Sequence, residues 1–219
     1  MGIIGYEFKN SDYLVKALSH SSYINELKLN KHDDYERLEF LGDAVLELTV
    51  SDFLYNNYSD MREGDMTKLR ASLVCEPSLA FCARCGMNLG DFLLLGKGEE
   101  LTGGRGRDSI VSDVFEAIIG AIYLDGGLER AKEFINKYVL TDYESHILFS
   151  DSKTKLQEYA QEHGLELSYE IISENGPAHD KDYLVRARLG DEISAEGIAK
   201  NKKSAEQHAA YNILKELNS

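Results

Sequence analysis

The stretch ERLEFLGDAVLEL, residues 36–48, sets four carboxylates into a run that is otherwise almost wholly apolar. The four acids are Glu36, Glu39, Asp43 and Glu47. On a helix turning by about 100° per residue they fall within a sector of about 80°. The apolar side chains on the opposite side are Leu38, Leu41, Val45 and Leu48. The pattern predicts an amphipathic helix, whose acidic stripe is most often a solvated face.

The charge of this stripe is uncompensated along the helix. No Lys or Arg lies within it, and like charges three or four residues apart repel by roughly a few tenths of a kcal/mol per pair. Phe40, Ala44 and Leu46 flank the acids, which is unusual for a purely solvated face. We therefore expect a positive group nearby, and the stripe alone leaves both a solvated face and a metal-holding face open.

A second acidic pair occurs in SDVFEAIIGAIYL, residues 112–124. This segment is apolar around most of a helical circumference and should be buried, so a carboxylate within it must be paired, protonated or bound to metal. Asp113 could instead complement the dipole at the start of a helix, but that explanation suits Glu116 poorly. Two helices that each offer an acid pair can form an all-oxygen cage, which suits Mg²⁺ or Mn²⁺ and does not suit zinc.

The composition limits the other possibilities. The chain has 219 residues and a net charge of −14, which disfavours nucleic-acid binding by bulk attraction and leaves it to local basic groups. No apolar run is long enough for a membrane helix, and no signal peptide is evident, so a cytoplasmic protein is expected. The cysteines Cys75, Cys82 and Cys85 are expected to be reduced thiols on the inner face of a helix.

Periodicity predicts that the first part of the chain is all-α. Helical spacing covers residues 11–18, 35–57, 63–75, 78–85, 109–124 and 128–145. Breaks are expected at Pro77, at Gly86 and at the pair Gly126–Gly127. The glycine-rich segment 96–109 is expected to be a flexible basic loop before a helix capped by Ser109 or Ser112.

The remainder predicts a small α-β-β-β-α unit. The polar stretch SDSKT at 150–154 indicates a boundary near residue 150, with a linker over about 142–152. A helix at 153–163, strands at 167–172, 183–189 and 193–199, and a helix at 202–217 follow. The last helix begins its apolar face with the small residues Ala205 and Ala209, which allow close approach to the sheet.

These motifs together resemble the ribonuclease III family. In the first part, the matching stretches are ERLEFLGDAVLEL (36–48), DVFEAIIGAIYLD (113–125), ALSHSSY (17–23), REGDMTKLRASLV (62–74) and GGRGRDSI (103–110). In the second, KTKLQEYAQ (153–161), GPAH (176–179) and KNKKSAEQHAAYNIL (200–214) are similar to a double-stranded-RNA-binding domain. The resemblance implies an all-α catalytic domain over 1–145 followed by an α-β-β-β-α double-stranded-RNA-binding domain over 151–219.

The resemblance also implies a reaction and its residues. The metal ligands would be Glu39, Asp43, Asp113 and Glu116, with Asp43 and Glu116 the catalytic positions and Glu36 and Glu63 supporting acids. Two Mg²⁺ ions about 4 Å apart, for which Mn²⁺ can substitute, would promote in-line attack of water on the phosphodiester. The expected products are 5′-phosphate and 3′-hydroxyl ends with short 3′ overhangs, from ribosomal RNA precursors and other structured transcripts.

Partners follow from the same resemblance. Double-stranded RNA would be bound by Thr154, Gln157, Glu158, His179, Lys202 and Lys203. Identical catalytic domains would pair into a homodimer, for which Phe40 and Leu41 are candidate interface residues. The chain departs from the common family pattern at Ala199 and Asn201, which could weaken phosphate contacts.

Two other functions are compatible with parts of the sequence. A catalytically silent regulator that binds double-stranded RNA would share the second unit, although it would have no reason to bury Glu116. The triplet His32-Asp33-Asp34 also occurs in His/Asp phosphohydrolases, but that class needs several more positioned histidines, and the six in this chain are scattered.

Overall fold

The fold has two parts, each with its own secondary-structure class. A computed structural model describes residues 4–141, 143, 151–176, 181–199 and 201–217. The chain divides into two compact units, Met1–His146 and Ile147–Ser219. In the described residues, the regular elements of the first unit are helices, and those of the second are three strands between two helices. The predicted fold class is therefore confirmed.

The first unit is built around one central helix. Its helices are α1 (Ser11–Leu18), α2 (Ser21–Glu26), α3 (Glu36–Asn57), α4 (Glu63–Val74), α5 (Glu76–Met87), α6 (Lys97–Leu101), α7 (Asp108–Gly126) and α8 (Leu128–Ile135). A π-helical turn, Asn136–Leu140, follows α8. Helix α7 buries Val111, Phe115 and Ile118 completely. Its nearly continuous apolar surface explains its central position, because a helix that is apolar on most sides is stable only when it is surrounded.

Two predicted helix breaks are wrong. Pro77 lies in the first turn of α5, where a missing N–H leaves no hydrogen bond unmade. Gly86 lies inside the same helix, which ends one residue later at Met87. Asn88 provides the stop by adopting the left-handed conformation, with φ of 48°. The actual break before α5 is at the extended residue Cys75.

Residues 96–109 form a folded segment rather than the predicted loop. They contain α6 and a 3₁₀ turn, Gly104–Gly106. The arginines are paired within the segment: Arg105 Nε lies 2.5 Å from Glu100 Oε1, and Arg107 Nη1 lies 2.8 Å from Glu99 Oε1. The predicted serine caps are also wrong, because α7 begins at Asp108 and makes no side-chain cap hydrogen bond.

A glycine pair lets α3 and α7 cross with their backbones in contact. A Cβ atom on Gly42 would lie 1.8 Å from the carbonyl oxygen of Glu116, and one on Gly120 would lie 2.2 Å from the carbonyl oxygen of Leu38. Only glycine fits at either position. Gly42 immediately precedes Asp43, and Gly120 lies one turn after Glu116, so this crossing brings the two acidic motifs together.

The second unit is an antiparallel sheet covered on one face by two helices. Its elements are α9 (Ser152–His163), β1 (Leu167–Asn175), β2 (Asp182–Leu189), β3 (Ile193–Ala199) and α10 (Lys202–Leu217), with the strands in the order β1-β2-β3. Leu156 of α9 and Ile213 of α10 are fully buried in one cluster with Ala187 and Leu189 of β2. A Cβ on Gly197 would lie 2.3 Å from the Ala205 carbonyl oxygen, which confirms the predicted close approach of the last helix.

Three smaller expectations have mixed outcomes. The cysteines are thiols, and Cys82 is buried, but Cys85 is exposed, because three residues along a helix turn its side chain about 60° from that of Cys82. Ser152 of the predicted linker is buried, and its hydroxyl donates to the Gln207 carbonyl oxygen at 2.9 Å. Residues 142 and 144–150 of that linker lie outside the described residues.

No helix in the described ranges is both long enough and apolar enough to cross a membrane.

Candidate metal centre and RNA-binding face

Three carboxylates converge where α3 crosses α7. One oxygen atom from each of Glu39, Asp113 and Glu116 lies within 4.8 Å of the other two. Glu39 comes from α3, and the other two lie one turn apart on α7. All three side chains are half-buried. A set of carboxylate oxygens at this spacing suits a hard divalent cation.

The convergence raises the proton affinity of these groups. Burial, followed by the charges of Asp43 and Glu39, raises the pKa of Glu116 to about 8. Burial, followed by the charges of Asp113 and Glu36, raises the pKa of Glu39 to about 7. Within the described ranges, no Lys or Arg forms an ion pair with Glu39, Asp113 or Glu116. The cluster therefore has a deficit of positive charge that a metal ion would relieve.

The other predicted acids lie outside this trio. Asp43 is exposed one turn after Glu39, and it is outside the set of oxygens within 4.8 Å. Its charge is nevertheless the largest one that raises the pKa of Glu116. Glu36 is exposed one turn before Glu39. Glu63 begins α4 and accepts a hydrogen bond from Thr67 Oγ1 at 3.1 Å, also outside the trio.

Two expectations about α7 need correction. Asp113 is not an acid at the helix start, because α7 begins five residues earlier at Asp108, which fills that position and pairs with Arg84. Glu116 is half-buried rather than enclosed in the core. The reason is that α7 is not fully covered by other residues on the side that faces the acids of α3.

The acidic stripe of α3 does have a positive neighbour, at its far end. Arg70 Nε of α4 lies 2.7 Å from Glu47 Oε2, and Arg70 Nη1 donates to Ser51 Oγ at 2.9 Å. Glu47 is therefore occupied by an ion pair with a neighbouring helix. This ion pair distinguishes it from Glu39, which pairs with no Lys or Arg among the residues that the structure describes.

The apolar side of α3 is only partly covered. Leu38 and Val45 are buried as predicted, but Leu48 is 57% exposed. Phe40 is 81% exposed, and Ala44 lies exposed between these two at four-residue spacing. Leu48 was expected on the buried side, but the face that α3 buries runs through Leu38, Val45 and Leu46 instead. Phe40, Ala44 and Leu48 form an uncovered strip, which we call the α3 apolar strip.

In the second unit, the predicted RNA-binding side chains are accessible. Thr154, Gln157 and Glu158 are exposed at three- and four-residue spacing on α9, so they share one face. Lys202 and Lys203 are exposed in the first turn of α10. Asn201 Oδ1 accepts the Ser204 N–H at 2.8 Å, which is the capping role a serine would fill at the same position. His179 lies outside the described residues, and the effect of Ala199 and Asn201 on RNA affinity stays a prediction.

Comparisons with known proteins cover both units. A family model described as Ribonuclease-III-like matches residues 10–143, and one described as Double-stranded RNA binding motif matches residues 152–217. The Ribonuclease 3 of Anoxybacillus flavithermus is 49% identical over 218 residues, which are 97% of this chain and 90% of that protein. The Ribonuclease 3 of Bacillus licheniformis is 49% identical over 219 residues, 98% of this chain and 87% of that protein. The chain belongs to the ribonuclease III family.

A solved structure agrees with this assignment. The nuclease domain of ribonuclease III from Campylobacter jejuni is 45% identical, with a TM-score of 0.59, and the match covers 64% of this chain and 94% of that domain. As a ribonuclease III, the protein is an endoribonuclease specific for double-stranded RNA, and the predicted function is confirmed. Its dependence on divalent metal ions fits the all-oxygen cluster of α3 and α7.

The two other functions are set aside. Membership of the ribonuclease III family makes the protein an enzyme, so a catalytically silent regulator is no longer needed to explain the second unit. The triplet at 32–34 does not form a metal-binding set, because His32 is exposed and Asp33 is paired with Lys16 at 2.8 Å.

Sequence reasoning missed one pair of residues beside the centre. The Tyr35 hydroxyl donates to Asp113 Oδ2 at 3.4 Å, and burial, with the charges of Asp113 and Glu39, raises the pKa of Tyr35 above its usual value. The ring of His20 packs against Tyr35, with centroids 5.8 Å apart. Tyr35 directly precedes the stretch at residues 36–48, and His20 lies within the stretch at residues 17–23. Tyr35 and Asp113 are, however, 78 positions apart, and hydrophobic periodicity does not predict a contact over that separation.

Proposed function

We propose that this ribonuclease III holds divalent metal ions with Glu39, Asp43, Asp113 and Glu116. The observation that carries the proposal is the convergence of three of these carboxylates within 4.8 Å. The raised pKa values of Glu39 and Glu116 support it, because a site that favours binding a proton also favours binding a cation. Mg²⁺ is the proposed ion, with Mn²⁺ as a substitute, since the donors are hard carboxylate oxygens.

The four acids have different positions and therefore different proposed roles. When bound, divalent ions would activate water, neutralise the phosphate and stabilise the departing 3′ oxygen. Glu116 offers an oxygen within 4.8 Å of an acid from each motif and would fix the geometry of the centre, while the exposed Asp43 would face the incoming RNA. We assign these two as the catalytic acids. Glu36 and Glu63 are proposed as supporting acids that shape the charge around the centre.

The proposed reaction is hydrolysis of a phosphodiester. The oxygen of water forms a bond to phosphorus, the bond from phosphorus to O3′ breaks, and the departing O3′ takes up a proton. The products are a 5′ phosphate and a 3′ hydroxyl. No histidine or serine nucleophile is required, because water is the attacking group.

The second unit is proposed to hold the duplex. We place the catalytic domain at 1–145 and the RNA-binding domain at 151–219, and matches to two separate family models support this division. Thr154, Gln157 and Glu158, with His179, would read the wide minor groove of A-form RNA by shape. Lys202 and Lys203 would contact phosphates, supported by their exposure at a helix N-terminus.

We further propose a homodimer through the catalytic domain. The α3 apolar strip supports it, because an exposed apolar surface of this kind is stabilised by a partner. The related C. jejuni nuclease domain is described as having a region involved in dimer formation. A two-fold pair would place one centre near each strand and leave short 3′ overhangs. We propose that it acts in the cytoplasm, on ribosomal RNA precursors and other structured transcripts.

A cleavage assay with defined product ends tests the reaction. A plain RNA duplex labelled within one strand should be cut when Mg²⁺ or Mn²⁺ is present and should stay intact in EDTA. The new 5′ ends should carry a phosphate, detected by their sensitivity to a 5′-phosphate-dependent exonuclease. Equal cleavage in EDTA, or products with 5′-hydroxyl ends, would contradict the proposed chemistry.

A further inference from the structure

Asp113 receives a hydrogen bond from outside the acid cluster. The Tyr35 hydroxyl donates to Asp113 Oδ2 at 3.4 Å, and the Tyr35 side chain is almost fully enclosed, with the residue 5% exposed. A phenol at neutral pH donates one hydrogen bond and carries no charge. It can therefore fix one oxygen of a carboxylate without competing with a cation for the other.

The backbone of Tyr35 is fixed on both sides. Its N–H donates to the Ser19 carbonyl oxygen at 2.9 Å, and its own carbonyl oxygen accepts the N–H of Glu39 at 2.9 Å. Tyr35 thus bonds through its main chain to the turn of α3 that carries Glu39 and through its side chain to Asp113 of α7. It links two members of the acid trio that belong to different helices.

The ring of Tyr35 has its own support in His20. The two ring centroids lie 5.8 Å apart, with the planes tilted by 52°. His20 Nδ1 accepts the Ser22 N–H at 3.1 Å and so caps α2. Ser22 Oγ in turn accepts the Gly96 N–H at 2.9 Å. These bonds hold the His20 ring in place beside Tyr35.

We infer that Tyr35 is a positioning residue for the metal centre, which holds Asp113 in the orientation that offers its other oxygen to the cluster, and that His20 supports it. The inference rests on the proposed function, because it assumes that Asp113 is a ligand. A carboxylate ligand held by an outer hydrogen bond spends less of its time in non-binding rotamers. Removing such a bond usually weakens metal affinity by about 10- to 100-fold.

The test is metal binding by Tyr35→Phe in the full chain, measured without RNA. Free Mn²⁺ is titrated and counted by its electron paramagnetic resonance signal, and thermal unfolding is recorded on the same samples. We expect Mn²⁺ affinity to fall by at least about tenfold. The matched control is Tyr6→Phe, since Tyr6, which is half-buried, also donates to an aspartate, Asp125 Oδ2, at 2.7 Å. Tyr6→Phe should lower the melting temperature and leave Mn²⁺ affinity unchanged.

The outcomes separate this inference from the proposed function. If Glu116→Gln loses Mn²⁺ binding while Tyr35→Phe binds as tightly as wild type, the site is right and the inference is overturned. If wild type binds no Mn²⁺, or Glu116→Gln binds it normally, the proposed site and the inference both fall. Should Tyr35→Phe not fold, His20→Asn decides the question, because Asn retains helix capping and removes the ring. A severalfold loss of affinity supports the inference, and unchanged affinity overturns it.

Discussion

The candidate metal centre brings several carboxylates close together, although their negative charges repel one another. Glu39 and Glu116 are half-buried beside further acids, and within the described ranges neither has an ion-pair partner. Glu47, on the same helical face as Glu39, differs because Arg70 neutralises it. One stripe of acids thus contains a residue that is paired with an arginine and residues that, in the proposed site, would bind a cation.

This arrangement predicts the pH dependence of stability in the metal-free protein. Folding raises the pKa of Glu116 from 4.5 to about 8, so the folded chain binds this proton more tightly than the unfolded chain does. The resulting stabilisation is complete below the unfolded value and is lost as pH rises towards 8. In EDTA, the melting temperature should therefore fall between about pH 5 and pH 8. Glu116→Gln should reduce that fall, and a wild-type curve that rises over this range would contradict the explanation.

At the scale of the element, the crossing of α3 and α7 is what assembles the centre. Replacing Gly42 by Ala puts a Cβ 1.8 Å from a backbone oxygen, which cannot move aside as a flexible side chain can. Gly42→Ala should lower the free energy of unfolding by at least about 3 kcal/mol in urea denaturation. The matched control is Gly64→Ala in α4, where nothing lies within 4 Å of the added Cβ. That change should be neutral or stabilising by up to about 1 kcal/mol. Equal effects of the two substitutions would show that the crossing is not tightly constrained.

Sequence periodicity predicted the helices α3 and α7 but not how they meet. The acid spacing and apolar faces are local properties, and they were sufficient for the helix positions and for the sheet of the second unit. The breaks at Pro77 and Gly86 failed because a proline is also favoured in a first helical turn, and a glycine inside a helix is only mildly unfavourable. The contact of Tyr35 with Asp113 depends on packing across 78 positions, so no local pattern contains it.

At the scale of the whole molecule, the α3 apolar strip predicts self-association. The double substitution Phe40→Glu and Leu48→Glu should convert a dimer to a monomer in sedimentation velocity, because it sets four charges into a two-fold apolar contact. Val15→Glu is the matched control, since Val15 of α1 is exposed to a similar extent, 52%, and lies outside the strip. A double variant that remains dimeric would contradict the assignment of this interface.

The charge of the molecule predicts how it binds RNA. With a net charge of −14, the protein must rely on local cations such as Lys202 and Lys203. We expect modest duplex affinity that weakens steeply with salt, and the double substitution to Ala should lower the log–log salt slope by about one per lysine. Lys215→Ala, in the last turn of the same helix, is the matched control and should leave the slope unchanged. An affinity indifferent to salt would contradict this prediction.

We expect the carboxylate centre on α3 and α7 to cut the RNA that the second unit binds. The most direct measurement compares Glu116→Gln with Glu47→Gln, in Mg²⁺, for cleavage of a plain RNA duplex and for binding of the same duplex. We expect Glu116→Gln to lose cleavage by at least about a thousandfold while it retains duplex binding, because one of the assembled metal ligands is gone. Glu47→Gln should cut at close to the wild-type rate. Cleavage that survives in Glu116→Gln, or that is lost equally in both variants, would contradict the account.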